Sequence, residues 1–331
     1  MDVFVAGSCS WDSIVYLDEF PERTETHDAR DFQETLGSSG SGKALNLGRL
    51  GVDTRFHAMI GDDRYGDAIR ERLDTEPVDF RFDYDPNGTE RHVNLMNDAG
   101  ERISIFVVSP TQKPEIDYGQ LEQWVGKADA LVVSPVNYSR YLLPAAVEAG
   151  TPVWADIHAY DGEDPYYNDF LEAADYLFMS EEGIEDYREF MREQIDAGKQ
   201  LVVCTHGSDG ATALTADGEW VAVSAPEFDL IDTNGAGDAF FAGYLYGHRQ
   251  GLPVETNLQL GTLAGGLASR CALCNGSSCG RGHPSPRPGG GSTAASRAHR
   301  LGGPGYQVSL LMSTPVLVSP ALLFRTERFA L

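Results

Sequence analysis

Long apolar runs are missing from this chain of 331 residues. No stretch approaches the roughly 18 consecutive apolar residues that cross a bilayer. The first residues, MDVFVAGSCSWDS, lack the basic opening and the apolar length of a signal peptide. We therefore expect a cytoplasmic protein with no membrane partner. At roughly 100 to 200 residues per domain, the length allows one large domain with a smaller appendage.

Lysine is scarce as well. The 25 basic residues comprise four Lys and 21 Arg, against 50 Asp and Glu, and the net charge is −25. This charge argues against nucleic acid as a partner, because phosphates would be repelled. Dispersed acidity with little Lys resembles the proteins of salt-adapted organisms, in which high ionic strength screens the self-repulsion, and we expect a halophilic source. A solvated acidic face on a protein from a low-salt organism is the alternative.

Carboxylates almost disappear from position 269 onward. The segment holds one, Glu327, among seven Arg and clusters such as SCGRGHPSPRPGGGS. A GC-rich gene read out of frame gives such a mixture, so we divide the chain into a domain, residues 1–268, and a frameshifted or disordered tail, residues 269–331. The tail lacks the apolar positions that a small zinc fold packs around its ion, although it contains four candidate zinc ligands: Cys271, Cys274, Cys279 and His283.

Strand-like and helix-like segments alternate through residues 1–268. The β-rich runs include DVFVAG, TRFHAMIG, ALVVSP and LVVCTHG, and the helical periods include RYGDAIRERL and IEDYREFMREQI. This alternation predicts an α/β fold with a mostly parallel sheet and helices on both faces. Two regions, within about 13–36 and 78–108, alternate polar and apolar residues around turns instead. They predict antiparallel hairpins that form a small lid over a ligand cleft.

The first glycine-rich loop is GSSGSGKA, residues 37–44. It fits the G-x4-G-K spacing of a phosphate loop, but Ala44 stands where Ser or Thr would hold magnesium. We expect instead a helix that begins near Gly42 and presents free N–H groups beside Lys43 and Asn46, which are donors suited to the hydroxyls of a polyol. An ordinary Gly-rich turn before a helix is the alternative.

The second loop lies in LIDTNGAGDAFF, residues 230–241. A strand followed by small residues places Gly235, Ala236 and Gly237 at a helix N-terminus, where free N–H groups and the helix dipole can hold an anion. Asp238 follows in the first turn and can reach the same pocket. A carboxylate beside a phosphate site can deprotonate an attacking hydroxyl. The alternative role of Asp238 is that of a helix cap.

The segment DTNGAGDAF, residues 232–240, resembles the signature of the ribokinase or PfkB family of carbohydrate kinases. SGKALNLGRLGV, followed by MIGDDRYGDAIRERL, is similar to the first motif of that family, and the likeness extends over residues 1–268. It implies a ribokinase-like three-layer α/β/α fold with a β-sheet lid, and transfer of phosphate from ATP to a free ribose- or fructose-like sugar. It also implies that Asp238 is the catalytic base and that the anion hole consists of Gly235, Ala236 and Gly237.

The same resemblance assigns the remaining ligands. ATP and Mg²⁺ would be the cofactors, K⁺ a further one, and the partner a second copy of the chain bound through the lid. Glu182 would stand in for the usual Asn-x-x-Glu magnesium segment, and Asp232 with Asn234 would form part of a monovalent-cation site. The sugar would be held by Asp12, Gly42, Lys43 and Asn46. The loop THGSDG resembles the nucleotide loop, so ATP would lie along Thr205, Gly207 and Gly210.

The chain also departs from the family. Segments that usually close the adenine pocket should follow LAGGLAS and are missing, and Ser41 replaces one of the usual paired glycines. Lys43 favours ribose or a phosphofructose over a nucleoside, because an ammonium group meets oxygen atoms but gives a base nothing to stack on. Two rival hypotheses remain: a nucleoside kinase of the same fold, and a sugar-binding protein that has lost its ATP site.

Overall fold

A computed structural model describes residues 2–22, 26–97, 101–228 and 232–270. The candidate zinc ligands of the tail lie outside the described residues. Thirteen strands occur in the described parts of the chain. In chain order they are β1 (Asp2–Ala6), β2 (Ser10–Tyr16), β3 (Asp31–Gly37), β4 (Asp53–Ile60), β5 (Asp79–Tyr84), β6 (Arg91–Met96), β7 (Arg102–Val108), β8 (Ala130–Val133), β9 (Val153–Asp156), β10 (Tyr176–Ser180), β11 (Leu201–Thr205), β12 (Ala211–Thr215) and β13 (Trp220–Val223).

The same parts of the chain contain eight α-helices. They are α1 (Ser39–Arg49), α2 (Arg64–Leu73), α3 (Tyr118–Val125), α4 (Leu143–Ala149), α5 (Asn168–Ala173), α6 (Tyr187–Asp196), α7 (Ala236–Arg249) and α8 (Val254–Ala268). The described helices include none that is both long and apolar enough to cross a membrane.

The large sheet has nine strands in the order β13-β12-β11-β10-β9-β8-β1-β4-β5. Seven are parallel, and β12 and β13 add antiparallel at one edge. Alternate side chains of β1 enter two separate cores: Val3 and Val5 pack with helices α1, α2, α7 and α8, whereas Phe4 and Ala6 pack with α3 to α6. The predicted three-layer α/β/α fold is therefore confirmed.

The smaller sheet, which we call the lid, has the order β3-β2-β6-β7. Its β2–β3 and β6–β7 pairs are antiparallel, as predicted, and β2 joins β6 in parallel. The pairing places Asp12, Tyr16, His92, Asn94 and Arg102 on one lid face, since alternate residues of a strand share a face. We call this the inner face because it contacts the loop before α7.

Two boundaries differ from the prediction. Residues 79–84, which we expected to form part of the lid, form β5 and pair in parallel with β4 at the edge of the large sheet. Helix α1 begins at Ser39, earlier than the expected start near Gly42. Its Ser- and Gly-rich first turn fits because a Cβ at Gly40 would lie only 2.7 Å from Gly7 Cα, so the helix end lies directly on the chain that leaves β1.

Candidate active site

The site residues gather at the carboxyl ends of the parallel strands, where α/β proteins usually bind ligands. Asp156 ends β9, Thr205 ends β11, and Ser134 follows β8. Helices α1 and α7 begin at the same edge and pack against each other. The lid contacts the loop before α7 and so covers this edge.

The N-terminus of α7 is open at Gly237, but one of the three N–H groups predicted to bind an anion already makes a hydrogen bond. Gly235 caps the helix in the left-handed region, at φ 75°, and no side chain caps the helix there. A Cβ at Gly237 would meet no atom within 4 Å, so this turn is open. The N–H group of Ala236, however, donates to the carbonyl oxygen of Thr233 at 3.2 Å. An anion bound at this N–H group would share the donor with Thr233 O or break that hydrogen bond.

Four side chains around the predicted base form what we call the base cluster: Ser39, Lys43, Asp156 and Asp238. The Lys43 ammonium lies 2.7 Å from Asp238 Oδ1 and 2.8 Å from Asp156 Oδ2. Ser39 Oγ donates to Asp238 Oδ1 at 2.6 Å, and Lys43 also donates to Ser39 Oγ. The structure thus brings the predicted base and the predicted sugar-binding lysine into direct contact.

Lys43 is fully buried, and its charge depends on these partners. Burial alone would lower the pKa of Lys43, but Asp156 and Asp238 outweigh burial and raise it. Burial would likewise raise the pKa of Asp156, but His158 and Lys43 bring it below its usual value. An ammonium group has three N–H donors, and here they meet Asp156, Asp238 and Ser39. None is left for a sugar in this arrangement.

Gly42 and Asn46, the other predicted sugar ligands on α1, have different surroundings. The N–H group of Gly42 donates to Ser38 O at 3.1 Å, and Asn46 Nδ2 donates to Gly42 O at 2.8 Å. The expectation of free helix N–H donors at Gly42 is therefore not met, because the helix begins three residues earlier. Gly42 instead lies against Asp238, and a Cβ at position 42 would come within 2.3 Å of Asp238 Oδ2.

Asp12 belongs to a second group of side chains, which we call the lid cluster: Ser10, Asp12, Ser38, Glu90, His92 and Asn94. His92 lies between two carboxylates, with Nδ1 3.2 Å from Asp12 and Nε2 2.9 Å from Glu90. Ser38 Oγ lies 2.8 Å from Ser10 Oγ and 3.2 Å from Glu90 Oε1, and its single hydrogen can be donated to either. Because Ser38 precedes Ser39, the two clusters adjoin at the start of α1.

Asp12 is the one predicted residue of the lid cluster, and the other five were not predicted: Ser10, Ser38, Glu90, His92 and Asn94. Burial would lower the pKa of His92, but its bonds to Asp12 and Glu90 outweigh burial and raise the pKa to about 9. His92 is therefore an imidazolium at neutral pH. The sequence did contain a signal, because Glu90, His92 and Asn94 alternate in TERHVN and must share one face of a strand.

The predicted cation ligands Asp232 and Asn234 contact the lid. Asp232 Oδ1 accepts from the amide of Asn234 at 2.7 Å, and Tyr16 donates to Asp232 Oδ2 at 3.4 Å. Arg102 of the lid donates to Asn234 Oδ1 at 2.6 Å. Burial and the Asp232 carboxylate raise the pKa of Tyr16 to about 12. All three side-chain oxygens accept hydrogen bonds, and a K⁺ ion at these two residues would share the oxygens with those donors.

The predicted nucleotide residues lie in the β11–β12 hairpin. Gly207 and Gly210 both have positive φ, and Thr205 Oγ1 donates to Met179 O at 3.3 Å. Between them, His206 bonds Glu181 at 2.7 Å and so joins this loop to the turn after β10. The next residue of that turn, Glu182, is exposed.

Magnesium was assigned to Glu182. In the described residues, no group of three or more His, Cys, Asp or Glu could hold a metal ion. A single exposed carboxylate nevertheless fits Mg²⁺, which in kinases is held largely by water and the phosphates of the nucleotide.

A groove of about 700 Å³ between α2 and β5 contains none of the predicted site residues.

Comparisons with known proteins identify the family of the chain. A family model described as pfkB family carbohydrate kinase matches residues 2–278. The acarbose 7(IV)-phosphotransferase of Actinoplanes sp. is 31% identical over 273 residues, which cover 81% of this chain and 91% of the relative. The ATP-dependent ribose-1-phosphate kinase of Halopiger xanaduensis is 30% identical over 281 residues, again covering 81% of this chain and 91% of the relative.

Solved structures show the same fold. A microbiome-derived acarbose kinase has a TM-score of 0.77 at 28% identity, covering 84% of this chain and 95% of that chain. Arabidopsis thaliana ribokinase complexed with ribose and ATP has a TM-score of 0.70 at 23% identity, covering 82% of this chain and 94% of that chain. At 23% identity this similarity concerns the fold alone.

Proposed function

The chain belongs to the pfkB family of carbohydrate kinases, and from that premise we propose that it transfers the γ-phosphate of ATP to a hydroxyl group of a free, ribose- or fructose-like sugar. The observation that carries the proposal is the position of Asp238, a carboxylate in the first turn of α7 beside the open turn at Gly237. Such a kinase works in the cytoplasm, where ATP is present.

In the proposed reaction, the sugar hydroxyl takes the place of Ser39 as donor to Asp238 Oδ1. Asp238 accepts the hydroxyl proton while the oxygen attacks the γ-phosphorus of ATP, and ADP leaves as the bond from that phosphorus to the bridging oxygen breaks. The backbone N–H groups of Gly235, Ala236 and Gly237 meet the charge on the transferred phosphate.

Bound Mg²⁺, with Glu182 as its protein ligand, would neutralise phosphate charge. ATP itself would lie along Thr205, Gly207 and Gly210.

A free sugar fits the charges of the site better than a sugar phosphate does. The base and lid clusters together contain four carboxylates and two cationic side chains, and each cation already contacts two of the carboxylates. The phosphate of a sugar phosphate would enter a net negative site in which both cations of the two clusters are already paired with carboxylates. The similarity to the ribose-1-phosphate kinase of Halopiger xanaduensis therefore does not determine which acceptor this chain uses.

The inner face of the lid supports a sugar over a nucleoside. Its side chains are mostly polar, with Asp12, His92 and Asn94 at the centre. Phe106, whose ring lies at a tilt to that of His92 with 4.1 Å between centroids, and Tyr16 add aromatic rings to this face. Carboxylate and amide groups match hydroxyls, whereas a purine needs apolar surface on which to stack.

We propose further that the chain forms a homodimer through the outer face of the lid. This face exposes four apolar side chains, Phe32, Ile103, Ile105 and Val107, and exposed apolar patches often mark interfaces. Ile105→Asp should then halve the mass measured by light scattering. A wild-type mass equal to that of one chain would rule the dimer out.

The domain boundary is also a proposal. We propose that residues 1–268 form the kinase domain and that the following residues are frameshifted. Ser269 still packs as part of the domain, because its carbonyl accepts the N–H of Asp232 at 3.1 Å. Restoring the reading frame after Ala268 should raise activity above that of the chain as given. Equal activity of the two chains would show that the tail needs no correction.

The experiment that tests the proposed function is phosphoryl transfer from ATP to a panel of acceptors, in molar KCl with magnesium. The panel includes ribose, fructose, ribose 1-phosphate, fructose 6-phosphate and adenosine. We expect transfer to a free sugar. Preference for a phosphorylated acceptor or a nucleoside would replace the proposed substrate. Sugar binding without ATP binding, in the given and the frame-restored chain alike, would show a non-catalytic binding protein.

A further inference from the structure

Asp156 has no part in the reaction as proposed so far, yet it is the second carboxylate on the buried ammonium of Lys43. It ends β9 and is buried. The next residue but one, His158, adopts a left-handed φ of 54°, which is uncommon for a residue other than glycine. This turn lets the N–H group of His158 donate to Asp156 Oδ1 at 3.0 Å, and Asp156 Oδ2 is left to meet Lys43 at 2.8 Å.

The arrangement poses a problem for Asp238 as a base. Its Oδ1 atom accepts from Lys43 and from Ser39. Each donor makes that oxygen a poorer acceptor of a sugar proton, because hydrogen bonds to a carboxylate favour its ionised form. If Asp238 were the only carboxylate in contact with Lys43, the ammonium group would hold Asp238 Oδ1 more tightly.

Asp156 gives Lys43 a second anion of equal charge at nearly equal distance. The titratable groups that face the ammonium are Asp238 on α7 and Asp156 at the end of β9, with His158 beside Asp156 at 3.5 Å. The ammonium can therefore move towards Asp156 when a sugar enters, without becoming an unpaired buried charge. An unpaired buried charge would be costly.

We propose that Asp156 is a positioning residue that draws Lys43 from Asp238 as the sugar binds, so that Asp238 Oδ1 becomes free to accept the proton of the acceptor hydroxyl. This inference rests on the proposed role of Asp238 as the base. Asp156 touches neither substrate in this account, and it acts through Lys43 alone.

The test is the pH dependence of kcat in Asp156→Asn. Without the second anion, Lys43 stays on Asp238, so kcat should fall about tenfold to a hundredfold. The acidic limb of the kcat profile should move to lower pH by about one unit, since one neighbouring carboxylate is lost. The KM for ATP should stay within about twofold, because nothing in the proposed nucleotide site changes. Asp156→Glu should restore the profile of the wild type.

A matched control separates this role from a structural one. Glu76→Gln removes a partly buried carboxylate that pairs with Arg49 and Arg72, and it should affect stability without moving the limb. In a Lys43→Gln background, Asp156→Asn should have little further effect, whereas additive losses would contradict action through Lys43. Should the Asn variant not fold, Asp156→Ser is measured in its place.

The outcomes also separate this inference from the proposed function. No phosphoryl transfer by the wild type, or full activity of Asp238→Asn, would remove the premise itself. A different outcome would overturn the role of Asp156 alone. In it, phosphoryl transfer depends on Asp238, but the acidic limb of the kcat profile is the same in the wild type and in the folded Asp156→Asn or Asp156→Ser variant.

Discussion

Gly42 of α1 lies directly against Asp238 of α7, with room for a hydrogen atom but not for a methyl group. A Cβ at position 42 would come within 2.3 Å of Asp238 Oδ2 and 2.8 Å of its Cγ. The glycine therefore fixes where the carboxylate stands, in addition to any contact that it makes with a sugar.

Gly42→Ala should push the Asp238 carboxylate aside and lower kcat about a hundredfold, because a displacement of about 1 Å can cost that much. Steady-state kinetics with the identified sugar measures the effect. Gly126→Ala is the control: Gly126 has a helical φ of −67°, and a Cβ there would find its nearest neighbour at 3.6 Å. Activity of Gly42→Ala near that of the control would show that the carboxylate is not held by this contact.

His92 should make stability fall as the pH rises. Its pKa is raised from 6.5 to about 9 in the folded chain, so its contribution is fully present below about pH 6.5 and is lost through pH 9. Relative to His92→Gln, the wild type should lose unfolding free energy with a slope approaching about 1.4 kcal/mol per pH unit in that window.

Urea unfolding between pH 6 and 10 measures this slope. His248→Gln is the control. Burial lowers the pKa of His248, so any effect of this residue on the pH dependence of stability lies below the window in which His92 acts. Identical slopes for the wild type and His92→Gln would mean that His92 is not protonated between its two carboxylates.

The contact between Arg102 and Asn234 should help the lid to close. Arg102→Ala removes the 2.6 Å hydrogen bond to Asn234 Oδ1. Because Arg102 is exposed, we expect only a threefold to tenfold rise in the sugar KM, the equivalent of about 1 kcal/mol. A looser lid should also admit water, so more ADP should form per sugar phosphate.

The ratio of ADP to phosphorylated sugar measures this coupling directly. Arg81→Ala, which removes an exposed arginine paired with Asp79 on β5, should leave the ratio unchanged. If both variants behave alike, the contact between Arg102 and Asn234 has no role in lid closure.

Local signals in the sequence were enough for the fold. The segment RYGDAIRERL is α2, because its apolar period is helical and Asp63 caps it through the N–H groups of Tyr65 and Gly66. The start of α1 was missed because its Gly- and Ser-rich first turn has low helix propensity and no side-chain cap. Its packing against Gly7, which no local pattern encodes, supports that turn.

The site could be predicted only as separate motifs. Lys43 and Asp238 were both selected, but their contact spans 195 residues and could not be read from either loop. The motifs also gave no reason to select Asp156, since a carboxylate at the end of a strand looks like many others until the fold brings Lys43 to it. The same holds for His92, whose two carboxylate partners come from β2 and from the turn before β6.

The most direct test of the central claim is single-turnover phosphoryl transfer by Asp238→Asn with saturating sugar and ATP. The account predicts a rate at least roughly a hundredfold below that of the wild type, with the dissociation constant of the sugar nearly unchanged, since the amide keeps the shape of the side chain but accepts no proton. A near-normal rate in a folded Asp238→Asn variant would contradict it, and the base would have to be sought elsewhere in the site.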